Sequence, residues 1–120
     1  MTGTNLQAIV TNSGLAQLGD ALLNFAFSMA LTEKTGKPTG TRVSDRILAE
    51  AAVRAGLRED LPRRVNRGDV ANGLEALLGF VWMEKLISLE EIIECLKTES
   101  LDPSQNFSQL ASLAISRIRK

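Results

Sequence analysis

Residues 14–32 read GLAQLGDALLNFAFSMALT, nineteen residues without a proline whose apolar side chains recur at helical spacing. Leu15, Leu18, Leu22, Phe25 and Met29 with their neighbours make a face too broad for a lone surface helix. That breadth predicts the central helix of an all-α core. One acid, Asp20, sits in the middle of the stretch directly after Gly19. A carboxylate at the edge of a core is costly to desolvate unless a cation or a set of donors answers it, so Asp20 needs a partner.

Working outward, the long helix is expected to end near Thr35, where Gly36 and the run KPTGT supply C-cap and turn signals. Residues 4–11 read as a short first helix, with Thr4 as N-cap and Leu6, Ile9 and Val10 inward. Ser44 is the expected N-cap of a third helix, DRILAEAAVRAGL (45–57), which buries Ile47, Leu48, Ala51, Ala52 and Ala55 and ends at Gly56. Arg46 and Arg54 flank its outer face. The segment REDLPRRVNRG (58–68) is polar and interrupted by Pro62, which predicts a loop holding one turn of helix. A fourth helix, DVANGLEALLGFVWMEKL (69–86), repeats the feature of the second: an acid, Glu75, among Leu74, Leu77, Leu78, Val81 and Trp82. Ser88 and Glu91 form a capping box for a fifth helix, with Leu89, Ile92, Ile93 and Leu96 inward. Asp102, Pro103 and Ser104 open the last, which buries Phe107, Leu110, Leu113, Ala114 and Ile118 and ends in basic residues that suit its dipole. Phe25, Met29 and Trp82 read as core side chains, and Cys95 as a small apolar residue. No repeat, linker or strand-like alternation is present. One all-α helical domain over residues 1–120 is the expectation.

Composition narrows the chemistry. With no histidine and a single cysteine among 120 residues, an internal disulfide, a zinc site and a histidine-based catalytic triad are excluded. Any hydrolysis must rest on carboxylates, hydroxyls or a hard metal ion. The apolar runs read as broken before membrane-spanning length, so no membrane partner is expected. MTGTNLQAIV lacks the basic start, apolar stretch and cleavage site of an export signal, which makes the cytoplasm the expected compartment. Net charge is zero but unevenly placed. Nine basic residues stand against four acids between Lys34 and Arg67, and eight acids against two lysines between Gly68 and Asp102. A basic surface for a polyanion beside an acidic patch for a metal would give this pattern, as would solvated helix faces.

Two acids held in long apolar helices ask for one explanation. Mg²⁺ takes oxygen ligands, commonly one or two carboxylates with several waters. If the two helices pack with Asp20 and Glu75 at one level, the pair suits such an ion, which lowers the pKa of a bound water for attack on phosphorus. By residue type alone, acids that merely accept loop hydrogen bonds or pair with arginines are commoner.

The local sequence resembles a known family. LAQLGDALLN (15–24) resembles the signature helix of ribonuclease III catalytic domains, and EALLGFVWME (75–84) resembles the family's second signature helix. RVSDRILAEAAVRAGL (42–57) is similar to the helix between them. The likeness covers most of residues 15–86 and is to the compact archaeal or mini-ribonuclease III-like form without a double-stranded-RNA-binding domain. It implies a ribonuclease III endonuclease-like helical bundle, a homodimer whose acidic sites line a valley for an RNA duplex. It also implies Mg²⁺-dependent cleavage, with Mn²⁺ as a substitute, leaving staggered ends with 5′-phosphates. Carried over by position, Asp20 and Glu75 are catalytic metal ligands and Gly19 allows close helix approach. Two departures bear on activity: the larger family has carboxylates where this chain has Ala16 and Asn72. Mini-ribonuclease III shows a similar thinned pattern. The Asn72 amide oxygen can still ligate Mg²⁺ or hold a water, with Asp69 one turn away to assist.

Duplex RNA would be gripped through its phosphates, for which Lys37, Arg42, Arg46, Arg63, Arg64 and Arg67 are the candidates. The reading is thus an endoribonuclease acting on double-stranded or structured RNA, such as a precursor ribosomal stem. Its rivals are a catalytically weakened or inactive module that grips RNA without cutting it, and a plain dimerisation module.

Overall fold

Short polar side chains start every α-helix in the computed structural model, which describes residues 5–100 and 102–119. Asn5 opens α1 (Leu6–Val10) by accepting from the backbone N–H of Gln7 at 2.9 Å, and Asn12 opens α2 (Ser13–Thr35) by accepting from Leu15 at 2.9 Å. The expected cap Thr4 lies outside the described residues, as does Lys120 of the basic tail. Ser44 caps α3 (Asp45–Arg54), and a 3₁₀ turn follows at Leu57–Asp60. The fourth helix, α4 (Arg67–Met83), begins two residues before the expected start. Asn66 accepts from the Asp69 N–H at 2.8 Å while the Asp69 carboxylate accepts from the Asn66 N–H at 3.2 Å, a capping box that satisfies two orphan donors. Ser88 and Glu91 do the same for α5 (Leu89–Lys97), and Asp102 with Pro103 opens α6 (Pro103–Ile118). Gly36 at φ 75° and Gly56 at φ 85° occupy the left-handed region that terminates α2 and α3.

The centre of the fold is α4, not the helix through Asp20 that the sequence suggested. Ten of its seventeen residues are buried, and α1, α2, α3 and α6 all pack on it. Leu23, Leu48, Leu57, Leu74, Leu77, Leu78, Ile92, Phe107 and Leu110 interlock around it as one core. Meanwhile α2 buries Ala16, Gly19, Leu22, Leu23, Ala26 and Ala30 against α4 and α5, and leaves its opposite stripe facing outward. Two side chains read as core are consequently exposed: Phe25 (53%) on that stripe and Trp82 (39%) at the end of α4, beside Met83. Hydrophobicity alone does not say which face of an apolar helix is covered. Met29 and Cys95 are half-buried against the core as expected. By length and mean hydropathy α2 is sufficient to cross a bilayer, contrary to the expectation that every apolar run falls short, yet it is built into the helical core.

A clamp ties the end of α6 to the start of α5. Arg117 near the end of α6 donates from Nη2 to Glu91 at 2.6 Å and from Nη1 to the carbonyl of Leu86 at 2.6 Å. The guanidinium holds the Glu91 carboxyl below the usual carboxylate range, chiefly through that hydrogen bond.

Candidate functional site

Two glycines decide how closely α2 and α4 approach. A Cβ built on Gly19 would overlap the backbone carbonyl of Glu75, and one on Gly79 would lie 2.7 Å from the carbonyl oxygen of Leu15. Moving four residues along α2 moves the contact four residues back along α4, so the helices run antiparallel with backbones touching at Gly19. Asp20, the residue after that contact, is thereby brought level with Glu75, and the two carboxyl groups are hydrogen-bonded. The single feature of sequence that places the pair is a glycine next to an acid.

Glu75 is 5% exposed, while the Asp20 side chain is about half open to solvent. Burial, then the hydrogen bond and negative charge of Asp20, push the Glu75 carboxyl up to about 8. The more distant Asp45 charge adds to this and Arg42 opposes it. At neutral pH Glu75 therefore holds a proton that it donates to Asp20. On its other side Asp20 accepts from Asn24 Nδ2 at 3.1 Å, and the amide of Asn24 is oriented by the Val43 N–H, which donates to its Oδ1 at 2.7 Å. Asn24 had no role in the sequence reading. The available signal was an amide four residues after the acid, on the same side of the helix.

The loop after α2 is pinned along that helix by side chain to backbone bonds. Thr32 and Thr39 exchange hydrogen bonds, and Ser28 Oγ both accepts from the Thr41 N–H at 2.9 Å and donates to its carbonyl at 3.0 Å. This delivers Arg42 over the acids, its Nη2 3.8 Å from Asp20 Oδ2 with the side chain 80% exposed. So loose and solvated a pair is worth little to the fold and leaves the guanidinium free to meet another anion.

Asn72 lies one helical turn before Glu75 on the exposed face of α4. It lines a cavity of about 330 Å³ together with Ala16, Thr11, Asn12, Leu61 and Asp69. The Asp69 carboxylate, expected to assist there, already closes the α4 capping box. Among the described residues no third acid or thiol converges with Asp20 and Glu75. The donor set on offer is two carboxylate groups pressed together and sharing a proton, with an amide at the margin. A hard divalent cation that displaces the proton fits this set, since Mg²⁺ needs only one or two carboxylates and completes its octahedron with water.

The basic candidates fall into separate places. Arg42 stands over the acids. Arg46 and Arg67 meet in one groove with Arg54 and Arg58, two arginines that sequence reasoning did not assign. Arg63 and Arg64 are exposed on a loop braced by Arg58, whose Nη1 and Nη2 donate to the carbonyls of Pro62 and Arg63 at 2.9 and 2.7 Å. Lys37 is exposed in the loop following Gly36.

A family model described as ribonuclease III matches residues 13–117, a span that includes both acids and the last helix. No curated protein matches the chain.

Proposed function

This chain belongs to the ribonuclease III family, and from that membership and its paired acids we propose a Mg²⁺-dependent endoribonuclease that cuts double-stranded or structured RNA as a homodimer. The observation that carries the reading is the glycine-enforced pairing of Asp20 with Glu75. Asp20 and Glu75 would hold Mg²⁺, or Mn²⁺ in its place, with the Asn72 amide positioned to hold a water at the margin. The ion supplies charge neutralisation at the phosphate and acidification of the attacking water.

The chain's own residues have distinct tasks. Buried Glu75, protonated at neutral pH in the free protein, would become a charged ligand by losing that proton to a bound cation, which would offset the cost of its burial. Asn24, held by Val43, fixes the Asp20 carboxylate in one orientation. Arg42, weakly engaged in the free protein, is free to leave Asp20 for a phosphate oxygen of the RNA. Exposed Phe25, Trp82 and Met83 support self-association, because large apolar side chains on an outer face are candidates for a partner surface.

The test is cleavage of a long RNA duplex at low salt with Mg²⁺ by the parent, Asp20→Asn and Glu75→Gln. Cutting by the parent and a loss of at least about a hundredfold in each folded variant is expected. A parent that binds duplex yet cuts with neither Mg²⁺ nor Mn²⁺ would favour the second reading, an RNA-gripping module in which Ala16 and Asn72 have cost the chemistry.

A further inference from the structure

We propose that the groove between the outer face of α3 and the start of α4 holds the sugar–phosphate backbone of the RNA beside the cut site. The inference rests on the reading of RNA as substrate. A cavity of about 580 Å³ is walled by Arg46, Arg54, Arg58 and Arg67 over a floor that includes Val53 and Val70. Four arginines line it from three parts of the chain: α3, the 3₁₀ turn and the first turn of α4.

Their partners leave the groove positive. Arg46 meets Glu50, also in the groove wall, at 3.1 Å, and Arg54 meets Asp102 at 3.5 Å. Both pairs are exposed on both sides, and such pairs contribute little and exchange readily for a phosphate. Arg58 is fixed by two carbonyl groups, which spend its donors without cancelling its charge. Arg67 pairs with no acid among the described residues and sits at the first position of α4, where the helix dipole is itself positive. A cation there is unfavourable to the helix and favourable to an arriving anion. Val53, 55% exposed on the groove floor, offers an apolar surface of the kind a ribose face covers.

The placement also gives direction. The charge of Asp45 is felt by Glu75, and Asp45 Oδ2 lies 3.6 Å from where a Cβ on Gly68 would stand, so the Arg46 and Arg67 end of the groove is the end whose sequence neighbours face the acids. From Arg46 to Arg54 is eight helical residues, roughly 12 Å, which spans about three phosphates of one strand. A strand leaving Asp20 and Glu75 past Arg42 would run along this line. The occupant is the backbone of an RNA duplex, read by charge and not by sequence.

The experiment is fluorescence anisotropy with a labelled RNA duplex, divalent-free so that nothing is cut, over a series of salt concentrations. Arg54→Gln, Arg67→Gln and their double variant are compared with the parent and with Arg119→Gln, an exposed arginine in a cavity elsewhere on the molecule. Each groove substitution is expected to reduce the slope of log K against log salt by about one, and the double variant to bind several-fold more weakly, while Arg119→Gln follows the parent. Melting curves establish that the variants remain folded. Groove variants with the parent's slope and affinity would overturn the assignment while leaving RNA binding intact. No duplex binding by the parent even at low salt would instead overturn the substrate reading and the groove with it.

Discussion

Glu75 shows what one buried acid does to the energetics of the chain. Its folded-state pKa of about 8 stands well above the ordinary carboxyl value, so between roughly pH 4.5 and 8 the folded protein keeps a proton that the unfolded chain has lost. The unfolded state binds fewer protons in that window, and stability therefore falls as pH rises through it. In divalent-free buffer, urea unfolding at pH 5, 6.5 and 8 should show a decline of at most about 1.4 kcal/mol per pH unit, and Glu75→Gln should flatten it. Equal pH dependence in parent and variant would contradict the assigned protonation. Glu91 and Asp102, both held below the ordinary carboxyl range by hydrogen bonds, act in the opposite sense and only at more acidic pH. Asp20 and Glu75 are legible as an anomaly, acids in apolar helices, and the family resemblance pairs them across a close approach at Gly19. Residue type alone does not, because contact depends on a helix crossing that no local pattern records. Asn24 was missed for the same reason: its role follows from the Val43 N–H, nineteen residues away.

At the level of elements, the crossing of α2 and α4 is governed by Gly19. Alanine there would force its methyl group into the Glu75 carbonyl, and backbone cannot yield as a flexible side chain can. Gly19→Ala is expected to destabilise the fold by about 2–4 kcal/mol in urea titrations and to lower divalent affinity by separating the acids. Gly14→Ala, whose added Cβ would meet only the Asn12 side chain at 3.4 Å, should be close to neutral. Equal behaviour of the two variants would contradict the close crossing. Helix identity was the most legible part of the sequence, since Ser44, the Ser88–Glu91 box, Gly36 and Gly56 mark ends by local chemistry. The start of α4 lies two residues before the expected one because the Asn66–Asp69 reciprocal cap is embedded in an arginine-rich segment whose polarity and Pro62 read as loop.

For the whole molecule, the question of which helix lies at the centre separated the sequence reading from the structure. Both α2 and α4 are apolar and interrupted by one acid, but only α4 is packed on most sides. The outward stripe of α2 leaves Phe25 exposed, and the proposed homodimer would cover it. Self-association through Phe25 or Trp82 predicts that Phe25→Asp or Trp82→Asp raises the dimer dissociation constant at least about tenfold in sedimentation experiments, with the helical content preserved. A parent that sediments as a monomer at all concentrations would contradict it. The fold converges on one arrangement, two carboxyl groups brought level by touching helices, and the proposed function rests on their exchanging a proton for a divalent cation. The most direct measurement is a ¹³C NMR titration of the Glu75 side-chain carboxyl from pH 4 to 10, without and with Mg²⁺. A midpoint near 8 that moves down as Mg²⁺ is added is the predicted result. A midpoint in the ordinary carboxylate range, unmoved by Mg²⁺, would contradict the paired metal-binding site.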